Sequence, residues 1–250
     1  MTGIEVRHRE VAFGAAALDV VEGTVTHPGK GHDRVLCQDG FLGVADGATP
    51  LIATWPDAGA FAALALAELA RSAGTVGRDM WSAAIAAAAR RSSARAPVVS
   101  CSVAVVRAVG RVTELAVLGD CTAIVETSTG QRVQVHDDTP RRLDAAVARS
   151  APADRQVALL RNRKAMNSPD GYWIFSTDPA AAEHVRIAQV ATDAVRTVLL
   201  FTDGVAPTAA AEDRPEQARA DVERLARGDL GPAARLDDAG FVLAHRRQTG

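Results

Sequence analysis

The stretch GHDRVLCQDGFLGVADG, residues 31–47, decides how the rest of the chain is read. It holds Asp33, Asp39 and Asp46, separated by two short apolar runs. Six residues lie between Asp39 and Asp46, and a straight strand across them would hold the two carboxylates roughly 20 Å apart. With Gln38-Asp39-Gly40 as a turn, RVLC and FLGVA become the two arms of a hairpin. Asp33 then returns beside Asp46, and Asp39 sits at the far tip.

The ending of this hairpin recurs along the chain. FLGVADG stops at Asp46-Gly47, ELAVLGD at Gly119-Asp120, and TVLLFTDG at Asp203-Gly204. LDDAGFV runs the other way, with Asp237-Asp238 just before an apolar strand. In antiparallel sheets, strands arriving at an edge and strands leaving it share one rim. Taken singly, an Asp-Gly after a strand is an ordinary turn. Taken together, these motifs gather carboxylates with no Lys or Arg inside them, an arrangement that calls for a cation. Carboxylate oxygens with glycine carbonyls suit Mg²⁺ or Mn²⁺, whereas zinc favours His and Cys.

The 250-residue chain reads as one domain, 1–250, with no fixed-period repeat and no Pro- or Gly/Ser-rich linker. A hydrophobic fraction of 48% and a net charge of −2 describe an ordinary globular chain and exclude a general nucleic-acid or membrane-surface binder. Cys37, Cys101 and Cys121 show no CxxC spacing and read as core thiols in a reducing compartment. The N-terminus leads into no apolar signal region, and the apolar stretch 58–67 is too short to span a bilayer. A cytoplasmic location is the expectation. Ala-rich helices are predicted over 57–72 and 79–93, with further helices over 141–149, 154–164 and 214–227. VVSCSVAVVRA, ELAVLGD, CTAIVET and QRVQVH read as an antiparallel meander, and YWIFST, RTVLLFTDG and GFVLAHR as later strands. Strands in sequence with helices in pairs indicate an α+β fold.

In this order, GHD, VADG, LGD, FTDG and LDDAGFV resemble the motif series of the metal-dependent serine/threonine protein phosphatases of type 2C, the PPM family, in its bacterial form. The resemblance runs across nearly the whole chain. It implies a sandwich of two antiparallel β-sheets flanked by pairs of α-helices, with a metal centre at one end. It further implies two Mn²⁺ or Mg²⁺ ions and a phosphoprotein substrate. By the same resemblance Asp46 bridges both ions, the Gly47 carbonyl contributes to one, and Asp203 and Asp237 hold the other. Asp33 orients metal-bound water, and Asp120 corresponds to an aspartate that in bacterial members helps hold a third ion. Two divalent cations would lower the pKa of a bridging water, so no nucleophilic side chain is required.

The chain departs from the family pattern at several points. His32 stands where a carboxylate or amide is usual, Ala48 begins ATP in place of MGG or HAG, and Gly240 replaces Ser or Thr. The family's phosphate-gripping arginine is missing. Lys30, with His27 nearby, is the substitute, as a point charge without the bidentate fork; a solvated loop lysine is the alternative. His136-Asp137-Asp138 and Ser176-Thr177-Asp178 read as strand-to-helix junctions, and the Arg-rich stretch 141–163 as a solvated face or a guide for acidic phosphopeptides. The expected activity is hydrolysis of phosphoserine or phosphothreonine. A small-molecule phosphomonoesterase and a catalytically weak regulatory module on the same scaffold are the alternatives.

Overall fold

The computed structural model describes residues 2–48, 57–92, 99–205, 215–230 and 237–247. Among the described residues, eleven strands form two antiparallel sheets. β1 (Gly3–Phe13) and β2 (Ala16–Thr26) make a long hairpin, followed by β3 (Arg34–Gln38) and β4 (Phe41–Gly47). After two helices come β5 (Cys101–Val109), β6 (Val112–Leu118), β7 (Thr122–Thr127) and β8 (Arg132–His136). β9 (Arg186–Ala191), β10 (Val195–Phe201) and β11 (Ala239–Arg246) complete the set. The six-stranded sheet runs β1-β2-β11-β10-β7-β8, and the five-stranded sheet β3-β4-β5-β6-β9.

Period-two alternation sends one side chain set from each sheet inward. Val20, Leu42, Val44, Val106, Val117, Val198 and Val242 meet in the central layer, all essentially excluded from water. The strands of the five-stranded sheet are apolar on both faces because α1 (Ala58–Arg71) and α2 (Arg78–Arg91) cover the outer one. Asp57 caps α1 by accepting from the amides of Gly59 and Ala60. Small alanines let both helices lie close to the sheet, with Trp81 and Phe175 filling the gap. α3 (Thr139–Ala148) and α4 (Arg155–Lys164) pack together at one end of the sandwich, and α5 (Pro215–Ala226) covers the outer face of the six-stranded sheet through Ala218, Val222 and Leu225. The architecture is the expected α+β sandwich, with helices on both outer faces.

Two details differ from the sequence expectation. The four central strands are not one meander: β5 and β6 belong to the five-stranded sheet, β7 and β8 to the other. The chain crosses between sheets at Gly119-Asp120-Cys121, where Gly119 takes a left-handed φ of +98° that a side chain would strain. YWIFST is not a full strand. It touches β5 through a single bridge, Phe175 to Cys101, because the segment is held instead by Asn167, which bonds the Ile174 amide and the Ser176 hydroxyl. Residue 93, at the end of the second predicted helix, and residue 214, at the start of the last, lie outside the described residues. Among the described residues no helix is long and apolar enough to cross a membrane.

Candidate metal centre

The β3–β4 register places Arg34 opposite Ala45, so Asp33 and Asp46 leave the hairpin side by side. Asp33 is buried, and its Oδ2 accepts from the Thr202 hydroxyl at 2.6 Å. The same hydroxyl accepts from the Gly240 amide at 2.8 Å, which ties Asp33 to the facing ends of β10 and β11. Asp39 sits at the other tip, where its Oδ1 accepts from the Ala12 amide at 2.9 Å. The hairpin therefore separates the aspartates as the spacing predicts.

Each remaining motif arrives at the same end. Asp120 lies in the crossing between the sheets, and its Oδ1 accepts from the Ser102 hydroxyl at 2.5 Å. Asp203 follows β10. A Cβ on its neighbour Gly204 would stand 1.7 Å from the Asp238 carbonyl oxygen, so only glycine lets the two loops touch. Asp238 is buried and acts as a clamp on the 27–32 loop: it accepts from the amides of His27 (2.8 Å), His32 (3.0 Å) and Gly31. Asp237 accepts from Lys30 Nζ at 2.6 Å and from the Asp238 amide at 2.8 Å.

The result is a cleft of about 360 Å³. It is lined by Asp33, Asp46, Gly47, Asp120, Asp203, Asp237 and Asp238, and by Pro140, Leu159, Asn162, Arg163, Tyr172 and Ile174 from the segments that follow β8. Lys30 does not line it. The ammonium expected to face a phosphate is instead drawn to Asp237 by the combined field of Asp237, Asp238 and Asp203.

Desolvation dominates the electrostatics. Burial pushes the Asp33 carboxyl from its ordinary 3.8 up to about 7, against the pull of the Thr202 hydrogen bond, with Asp203 and Asp238 adding repulsion. Asp46 is also pushed well up, first by desolvation and then by the charges of Asp33, Asp203 and Asp120. All three cysteines are free and buried, and desolvation raises each thiol, so none offers a thiolate.

These residues fit a divalent cation in their chemistry. They are hard oxygen donors, and the burial and crowding that disfavour the charged state of Asp33 and Asp46 are what a bound cation would offset. Among the described residues, no group of three or more His, Cys, Asp or Glu side chains is already arranged around a single ion. Lys30 serves as the counter-ion of Asp237.

No family model and no curated protein matches the sequence. Solved structures do match over essentially the whole chain. The catalytic domain of the serine/threonine phosphatase PstP, in complex with two manganese ions, is 14% identical, covers 99% of this chain and 100% of its own, and gives a TM-score of 0.55. Serine/threonine phosphatase Stp1 from Staphylococcus aureus is 13% identical over 98% and 100% of the two chains, with a TM-score of 0.57. The chain has the type 2C phosphatase fold. RsbX in complex with magnesium shares it too, at 12% identity over 99% and 100% and a TM-score of 0.53.

Within this type 2C fold, two features escaped the sequence reading and a third was left between alternatives. The clamp role of Asp238 is hidden because its partners are backbone amides, which leave no mark on residue type. The Ser102 contact to Asp120 spans two strands, and only the Ser-x-Ser spelling at 100–102 hints at a hydroxyl on that face. Asn162 and Arg163 come from the stretch 141–163, which reads either as a solvated face or as a guide for acidic phosphopeptides, and the structure brings both into the cleft lining.

Proposed function

We propose that this chain hydrolyses phosphate monoesters, on phosphoserine or phosphothreonine in proteins, with Mn²⁺ or Mg²⁺ held by the acidic rim. The observation that carries the reading is the pair Asp33–Asp46, brought together on a rim with Asp120, Asp203 and Asp237 inside a type 2C fold. Asp46, Asp203 and Asp237, with the Gly47 carbonyl, would hold two ions, and Asp120 would help hold a third. The ions supply charge for the phosphoryl oxygens and acidify a water.

The chain's own residues do the rest. Asp33 stands within hydrogen-bonding reach of Asp46 and is fixed by Thr202, so it can orient a water and take its proton at a carboxylate oxygen. Asp238 fixes the 27–32 loop through three amides and so sets the position of His32 and Asp33. Pro140, Leu159 and Ile174 supply apolar surface that excludes water from the cleft and can receive a peptide side chain.

A second reading is favoured by the Lys30–Asp237 contact: a weakly active regulatory module in which an internal ammonium occupies the place of a cation at Asp237. Activity towards a phosphothreonine peptide and a chromogenic phosphate ester, titrated with Mn²⁺ and then with chelator, separates the readings. Turnover that requires Mn²⁺ or Mg²⁺ and is lost with chelator supports the phosphatase. Turnover indifferent to EDTA contradicts the metal-dependent reading, and none at saturating metal favours the regulatory module.

A further inference from the structure

We infer that Asn162 and Arg163, not Lys30, bind the phosphoryl group of the substrate in the cleft that the acidic rim lines. The inference rests on the phosphatase reading above and names the residues by which that site would take its substrate. Arg163 is the one Lys or Arg among the described residues lining the cleft. A phosphate dianion entering a cleft lined by six aspartates needs positive charge beside it. Cations on the rim would supply part of it and the Arg163 guanidinium the rest, in a planar fork that matches phosphate oxygens.

The second observation is independent of charge. Asn162 lines the same cleft, and its Nδ2 is buried with no hydrogen-bond partner. A buried amide donor without a partner carries a desolvation cost that a ligand oxygen would relieve.

The end of α4 is also built to stay in place. Arg163 donates from one Nη to the Ser100 hydroxyl at 3.2 Å, beside the strand that carries Ser102 and its contact to Asp120. The C-terminal turn of α4 folds directly onto residues 166–176. Asn167 takes a left-handed φ of 53°, its side chain holds the Ile174 amide and Ser176, and Phe175 bridges to Cys101 on β5. One set of contacts thus fixes the acidic rim and the end of α4 to the same strand. Lys30, by contrast, is committed to Asp237 and stands outside the cleft lining.

The test uses the full chain with saturating Mn²⁺ and two readouts: calorimetric binding of inorganic phosphate, and KM and kcat for a phosphothreonine peptide. Arg163→Ala should weaken phosphate binding and raise KM by about tenfold or more, and Asn162→Ala by about threefold to tenfold. Arg163→Lys should recover part of the loss, with Mn²⁺ affinity and Tm close to the parent throughout. Because Arg163→Lys keeps the stem and the charge, it covers the case in which the alanine variant fails to fold. Unchanged phosphate affinity and KM in Arg163→Ala would overturn the inference while leaving the phosphatase reading intact. A parent that binds phosphate through Arg163 but turns over no ester would do the reverse. A parent that neither binds phosphate nor turns over ester would overturn both.

Discussion

At one end of the β4–β5 strand pair, Arg107 is fully buried and bonded to Glu114 at 3.0 and 2.6 Å, and to the carbonyls of Ala73 and Thr75. At the other end of the same pair, Asp46 meets Asp33 with Asp120 and Asp203 beside them. Both ends place charge where water is scarce. The first is complete, since its guanidinium donates to partners supplied by the chain and Glu114 also accepts from Gln189. The second is a set of like charges, where burial and the neighbouring carboxylates push Asp33 and Asp46 up. The contrast separates a structural ion pair, which holds the 72–77 connection to the sheet, from a site whose balance must come from outside.

That contrast can be broken at either end. The largest effect is expected for Asp46→Asn, which should lower kcat on the order of a thousandfold by removing a carboxylate proposed to hold the ions. The metal-free protein should at the same time melt higher than the parent, because a source of repulsion is gone. An unchanged or lower metal-free Tm would show that the rim is not strained by its own charge. Arg107→Ala should do the opposite. It leaves Glu114 buried and alone, costing about 3–5 kcal/mol in urea denaturation, with Mn²⁺ affinity unchanged in the folded protein. A cost below about 1 kcal/mol would erase the distinction between the two ends.

A pH series sharpens the comparison further. Asp33 holds its proton more tightly folded than unfolded, up to about 7 against 3.8. Its contribution is therefore fully present at low pH, fades as pH rises above the unfolded value, and is lost once pH passes the folded one. Metal-free Tm should fall on the order of 5 °C between about pH 5 and pH 8 through this group. Asp33→Asn should remove that part of the slope. The smallest effect belongs to Lys30. Its pair with Asp237 is partly exposed and worth at most about 1 kcal/mol, so Lys30→Ala should tighten Mn²⁺ binding by no more than about fivefold. KM should stay within about twofold. A tenfold rise in KM would instead restore Lys30 as the phosphate ligand.

Much of the rim was legible because register is arithmetic. Counting along RVLC-QDG-FLGVA assigns Asp33 and Asp39 to opposite ends without knowledge of the fold, and Asp57 before an Ala-rich run announces α1. The crossing at Gly119-Asp120-Cys121 was not legible. ELAVLGD and CTAIVET abut with no loop between them, and a change of sheet leaves no trace in alternation. β9 was missed because its residues, RIAQVA, are mostly exposed or half-buried and carry no apolar run. The destination of Lys30 depends on the summed field of three aspartates distant in sequence. Arg163 was obscured by its company, since Arg155, Arg161 and Lys164 on the same helix suggest a face open to water.

The central claim is that the acidic rim is a cation site completed from outside the chain. Calorimetric titration of the parent and of Asp46→Asn with Mn²⁺, starting from chelator-treated protein, tests it most directly. The account predicts about two ions bound by the parent, a rise in Tm with them, and loss of both in Asp46→Asn. A parent that binds no Mn²⁺, or an Asp46→Asn variant that binds it as the parent does, would contradict it.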